Sequence, residues 1–149
     1  MLFMEKKIIL LFCFFYLNAH NLFSNEYEIL VFNNTSNKSI STLDGYKFTT
    51  SEAIGNWQDS LGSYGTSRIL FFSEVKEKAN AKIKGLGEFI DHKNQKFWAV
   101  PTRESALDAG VGKIKFISAT DSYKFLLDRN CNYAIKYLKN SSYLKILCN

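Results

Sequence analysis

The chain closes on CNYAIKYLKNSSYLKILCN (131–149), with a cysteine at each end of what reads as one β-hairpin. With Lys139 and Asn140 as the turn, Cys131 falls opposite Cys148, Tyr133 opposite Ile146, Ile135 opposite Leu144 and Tyr137 opposite Ser142. All of these residues share one face, because side chains alternate along a strand. The register that joins the sulfurs therefore also gathers the apolar side chains, and a slip of one residue would lose both. Opposed residues have Cβ atoms about 4.5–5.5 Å apart, within reach of a disulfide after a small adjustment. Lys-Asn is not the Asn-Gly or Asp-Gly that a two-residue turn favours. A four-residue loop, 139–142, would offset the cysteines and leave two buried thiols as the alternative.

A disulfide needs an oxidising compartment, so the other end of the chain matters. It reads MLFMEKKIILLFCFFYLNAHNLFS (1–24): Lys6 and Lys7, an apolar run over 8–17, then small and polar residues. The run is too short for a membrane span, which needs about 20 apolar residues. A cleavable signal peptide over 1–24 is expected, cut after Ala19 or Ser24, with an uncleaved anchor as the alternative. Met4 could be the true start. Phe12 before Cys13 argues against a lipoprotein signal, and cleavage would remove Cys13. The mature chain, 25–149, would keep Cys131 and Cys148 in an export route that permits disulfides. Its Lys, Asn and Ile content is of a bacterial kind, which places it in the periplasm or outside the cell. Four Asn-x-Ser/Thr sequons, at Asn33, Asn34, Asn37 and Asn140, are expected by chance in so Asn-rich a chain.

The whole sequence has 19 Lys+Arg against 14 Asp+Glu. After removal of the leader the excess is mild, so a nucleic-acid partner is not expected, and export argues against one too. Aromatics are plentiful and there is a single proline, which excludes a disordered chain. The mature length suits one domain.

Short extended segments fill that domain. EYEILVFN (26–33), YKFTT (46–50), EAIGNW (52–57), SRILFFSEV (67–75), AKIKGLGEFID (81–91), KFWAV (96–100), GKIKFIS (112–118) and YKFLL (123–127) precede the hairpin. Gly85 and Gly87 suggest a bend or bulge. PTRESALDAG (101–110) predicts a short helix capped by Thr102 and ended by Gly110. No internal repeat or linker is evident. The expected fold is all-β: a small antiparallel barrel of about eight strands with one short helix and a stapled C-terminal hairpin. A membrane-embedded barrel is rejected, since the strands are short and would turn Lys82, Lys84, Lys113 and Lys115 outward to lipid.

GKIKFISATDSYKFLLDRNCNY (112–133) resembles a strand, turn and tyrosine segment of the allene oxide cyclase and dirigent barrels, a calycin-like group. GNWQDSLGSYG (55–65) is similar to an early strand and turn of such secreted barrels. Residues 119–122 lack the two glycines of that pattern, and Asp128-Arg129 stands where a glycine is usual. The resemblance implies a calycin-like barrel and, more remotely, an isomerase or cyclase activity; no functional residue carries over.

Little catalytic chemistry is available. In the mature chain 25–149 His92 is the one histidine, in the turn DHKNQ (91–95), so no histidine-based metal site or triad is expected, nor any cofactor. Glu104 and Asp108 would share a face of the predicted helix beside Arg103 and could share a proton. Glu52 and Asp59 flank Trp57. Trp57, Tyr64, Phe89, Trp98, Phe116, Tyr133 and Tyr137 are the expected lining of the barrel interior, where a small apolar molecule could bind. Three functions stay open: a binding barrel with a cavity of a few hundred Å³, an envelope interaction protein with a filled barrel, or an enzyme with a carboxylate in its cavity.

Overall fold

The computed structural model describes residues 26–76, 80–107 and 109–149. The leader with Cys13 and its cleavage points, and also Asp108, lie outside the described residues. Eight strands, β1 (Tyr27–Ser41), β2 (Tyr46–Asp59), β3 (Tyr64–Lys76), β4 (Ala81–Asp91), β5 (Lys96–Ser105), β6 (Ala109–Ala119), β7 (Cys131–Leu138) and β8 (Ser141–Cys148), run in sequence order around a closed antiparallel barrel. β8 pairs with β1 to close it, setting Tyr27 against Cys148 and Val31 against Leu144.

The C-terminal hairpin has the register read from its sequence. Cys131 pairs with Cys148, Tyr133 with Ile146, Ile135 with Leu144 and Tyr137 with Ser142. A disulfide joins the cysteines, whose Cα atoms are 4.2 Å apart. The unfavourable Lys-Asn turn is accommodated by Lys139 in the left-handed region, at φ 57°. That conformation is uncommon for a side chain of this kind and is held by the strands on both sides.

Alternation sorts each strand into an inner and an outer face. Tyr27, Ile29, Val31 and Asn33 of β1 point inward, as do Leu144, Ile146 and Cys148 of β8. The strands are unequal: β1 has 15 residues, β7 and β8 have 8 each. β1 parts from β8 after Asn34 but stays paired with β2 as far as Ser41. The β1–β2 hairpin thus stands beyond the barrel wall.

Two local expectations are overturned. Residues 101–105 continue β5 and are not helical; β4 pairs with them, Lys84 with Thr102 and Lys82 with Glu104. A helix of one or two turns is marginal alone, whereas a strand there completes a ladder. The short helix lies instead at Asp121–Leu126, in the segment read as a strand, and is of the 3-10 type. Side chains three apart eclipse in such a helix. Tyr123 and Leu126 therefore drop together into the barrel end and are buried.

Candidate functional site

Beneath that 3-10 helix the barrel is packed solid. Trp57, Phe89, Phe97 and Phe116 are almost fully buried. Phe97 stacks on Phe89 at 4.7 Å between ring centroids and meets Trp57 edge-on at 5.1 Å, with Tyr123 against it at 4.8 Å. The Trp57 indole N–H donates to the Thr66 carbonyl at 3.1 Å.

Two aspartates finish this end in the same way. Asp59 Oδ1 accepts the backbone N–H of Leu61 and Ser63, and Asp91 Oδ1 accepts those of Lys93 and Gln95, each at 2.8–2.9 Å. Each aspartate thereby folds its own hairpin turn, the side chain bonding to backbone just ahead of it. Their Oδ2 atoms accept a tyrosine hydroxyl each, Tyr27 at 2.7 Å and Tyr123 at 3.0 Å. Burial, helped by the bond to Asp59, pushes the Tyr27 hydroxyl well above the ordinary tyrosine range. Burial is also the main cause that lifts Tyr123, to about 12, with the bond to Asp91 adding to it. Burial acts to raise the Asp91 carboxyl too, but N–H donors from Gln95 and Lys93 and the Tyr123 hydroxyl hold it below its usual value. Asp91 is an ionised acceptor tying turn to plug.

The opposite end of the interior holds a cavity of about 40 Å³, bordered by Phe71, Tyr133, Ile135, Tyr137, Ser142 and Leu144 among others. This is room for water, far below the few hundred Å³ of a ligand pocket. None of its lining residues is acidic, so the carboxylate that an isomerase would need is missing from it.

Of the seven aromatics expected to line a cavity, Trp57, Phe89, Phe116 and Tyr133 are buried inside, and Tyr133 and Tyr137 border the small void. Tyr64 and Trp98 are on the outside. Tyr64 begins β3 and lies exposed with its ring stacked on His92 at 4.5 Å. Trp98 alternates out of phase with buried Phe97 and Ala99, and its indole N–H donates to Glu88 at 3.2 Å. Both belong to the outward parity of their strands, which aromatic character alone does not reveal. Glu104 is exposed on β5, so it has no helical face to share with Asp108. Glu52 pairs with Arg68 at 2.7 Å on the outer face.

A concavity of about 640 Å³ lies outside the barrel, across β1–β4; another, of about 830 Å³, is bordered by Val100, Ile117 and Asn132. Leu70, Phe72 and Leu86 give the first an apolar surface, and Lys38, Lys84 and the Arg68-paired Glu52 also border it. Leu70 is 51% exposed, Leu86 48% and Phe72 36%. Phe72 is braced by Phe48, stacked at 5.9 Å. Gly85 lets β4 approach β3 closely, since a Cβ there would lie 2.7 Å from the Leu70 carbonyl oxygen. The signal for this face was in RILFF (68–72): Ile69 and Phe71 point in, so Leu70 and Phe72 must point out.

Among the described residues no group of three metal-binding side chains occurs and no helix is long and apolar enough to cross a membrane. No family model matches the sequence, and no curated protein matches it. Among solved structures, the chain is similar to a protein of unknown function from Clostridium acetobutylicum ATCC 824, with a TM-score of 0.64 and 10% identity, over 85% of this chain and 99% of that one. At that identity the likeness concerns the fold alone: a small eight-stranded β-barrel whose neighbour is itself uncharacterised.

Proposed function

We propose that the mature protein is an exported binding barrel that holds a single-chain amphiphile with an anionic head, such as a long-chain fatty acid, in the groove on its outer face. The observation that carries this is the row of half-exposed Leu70, Phe72 and Leu86 between Lys38 and Lys84 in a groove large enough for an acyl chain, while the interior is filled. Exposed apolar surface gathered in one patch marks a site of interaction. Neither lysine is ion-paired among the described residues, whereas Arg68, Lys96, Lys124 and Lys145 each have a carboxylate partner. The disulfide suits an oxidising compartment, in keeping with export.

Covering a half-exposed leucine contributes roughly 1 kcal/mol, so Leu70→Ser should weaken binding roughly fivefold. Calorimetric titration of the mature protein with palmitate tests this: saturable binding is expected, weakened in Leu70→Ser and in Lys84→Glu. Absence of binding, or binding by both variants as tight as by the wild type, would refute it.

A protein partner of the envelope is the second occupant with an observation in its favour, the openness of this face to solvent beside the projecting β1–β2 hairpin. Co-purification of one defined protein with the wild type and not with Leu70→Ser, without palmitate binding, would establish it. An isomerase of the allene oxide cyclase kind ranks below both, because the cavity has no carboxylate in its lining and is too small for a substrate.

A further inference from the structure

The far end of β1 has a partner on one side only. β2 pairs with it as far as Ser41, whereas β8 leaves it after Asn34, and no other described strand takes up that side. Parity fixes which backbone groups are left over. The Thr35 N–H donates at 2.7 Å to the Asn140 carbonyl in the β7–β8 turn, and the Thr42 N–H donates to the Tyr46 carbonyl of β2. Odd-numbered residues here therefore turn their N–H and C=O groups toward the β8 side, and even-numbered ones toward β2. Asn37, Ser39 and Ser41 present a row of such groups on the open side, and every residue over 36–41 is exposed. A row of this kind is a template for another strand.

We propose that this edge pairs antiparallel with the same edge of a second copy of the chain, about a two-fold axis at Ile40. Two requirements set the register: odd residues must face odd residues, and the β7–β8 turn must be cleared. With Ile40 opposite Ile40, Ser39 of each copy faces Ser41 of the other, and these pairs exchange four hydrogen bonds. Leu43, in the β1–β2 turn, then falls opposite Asn37, just short of the turn that covers Thr35. Setting Ser39 opposite Ser39 would drive one copy's 42–45 turn into the other's 139–140 turn. Setting Ser41 opposite Ser41 would give up half the bonds.

Ile40 is the reason to name a second copy as the occupant. It is 76% exposed on the outer face of the projecting hairpin, beside Phe48, on which Phe72 is stacked. Across the axis the two isoleucines form a non-hydrogen-bonded pair, the closer kind, with Cα atoms about 4.5 Å apart. An apolar strip then runs from Phe72 through Phe48 and Ile40 into the same residues of the second copy. Lys38, the charge that would guard the edge, falls opposite Thr42, and the two copies' Lys38 residues stand about 13 Å apart along the strands. The same register brings exposed Asp44 of each copy up to exposed Lys139 of the other, two opposite charges. Two-fold symmetry makes each of these contacts twice. The pairing does not rest on what the outer groove holds.

Four hydrogen bonds and one apolar pair make a small interface, so the association is reversible and concentration-dependent. Sedimentation equilibrium of the disulfide-intact mature protein should show monomer passing to dimer and no further, because pairing uses up the edge. Ser39→Pro removes an N–H that points away from β2, and proline is tolerated at such an edge, so the amide spectrum of β3–β8 should be preserved while the dimer is weakened by about tenfold or more. Ile40→Lys, which sets like charges at the axis, should weaken it similarly. Leu70→Ser, altered in the groove, should dimerise as the wild type does. On mild oxidation Ile40→Cys should give a covalent dimer and Lys38→Cys should not. The proposal is overturned if the wild type stays monomeric up to about 1 mM, which would leave the edge to an extended segment of another protein. It is equally overturned if the dimer survives Ser39→Pro and Ile40→Lys unchanged, or if Leu70→Ser abolishes it, which would place the contact at the groove.

Discussion

Replacing both Cys131 and Cys148 by alanine should destabilise the barrel by about 3 kcal/mol without altering its outer face. The sequence separation is 17 residues, and in the chain-entropy treatment closing a loop of that length restricts the unfolded ensemble by roughly 3 kcal/mol at 25 °C. The bridge holds more than the hairpin, because Cys148 also faces Tyr27 across the β8–β1 seam that closes the barrel. Both sulfurs are buried, so alanine, which adds no polar atom, isolates the effect of the cross-link better than serine. For a domain of this size the loss corresponds to a fall of roughly 10 °C in Tm. In urea it corresponds to a midpoint lower by about 1–3 M at unchanged slope. Urea unfolding of wild type, wild type with reductant and the double variant measures this, with amide exchange locating the effect. The reduced wild type and the variant should coincide, with the gain in exchange concentrated along β1, β7 and β8. A midpoint within about 0.3 M of the oxidised protein would refute the reasoning.

Other consequences are as specific. Asp91→Ala removes an ionised acceptor of three hydrogen bonds and orphans the Tyr123 hydroxyl, so it should cost roughly 3–4 kcal/mol in thermal or urea unfolding. Because the Asp91 carboxyl is held below its ordinary value, its contribution is complete above about pH 4 and is lost as pH falls through the lowered folded value. Acid titration of Asp91→Asn should accordingly show a shallower decline in stability below pH 4 than the wild type. Gly85→Val should distort the groove, since its Cβ would meet the Leu70 carbonyl, and should weaken palmitate binding along with stability. Phe116→Ala should cost roughly 3–5 kcal/mol, as expected for a fully buried ring in a filled interior.

The parts of the fold legible in the sequence are those where two constraints coincide. The C-terminal hairpin was readable because cysteine spacing and apolar parity demand the same register, which overrode the weak turn. Where one cue stood alone it misled. Thr102 and Gly110 look like helix caps, but between them only Ala106, Leu107 and Ala109 offered apolar surface, too little to hold a helix against the β4 ladder. Tyr123 and Leu126 were spaced by three, the 3-10 signature, yet the aromatic and leucine content of YKFLL invited a strand. For the candidate site, aromatic identity located the core at Trp57, Phe89 and Phe116 but said nothing of which face Tyr64 and Trp98 would occupy. The outer groove depends on how far β1–β4 extend beyond β7 and β8, a property of the closed sheet that is absent from any single strand.

The measurement that bears most directly on the central claim is a set of intermolecular NOEs between methyl-labelled mature protein and palmitate. Contacts from the acyl chain to the Leu70 and Leu86 methyls, with none to Ile69, Ile135 or Leu144, are the predicted result. Contacts to those interior methyls would place the ligand within the barrel, and the absence of any contact at saturating palmitate would contradict binding at the groove altogether.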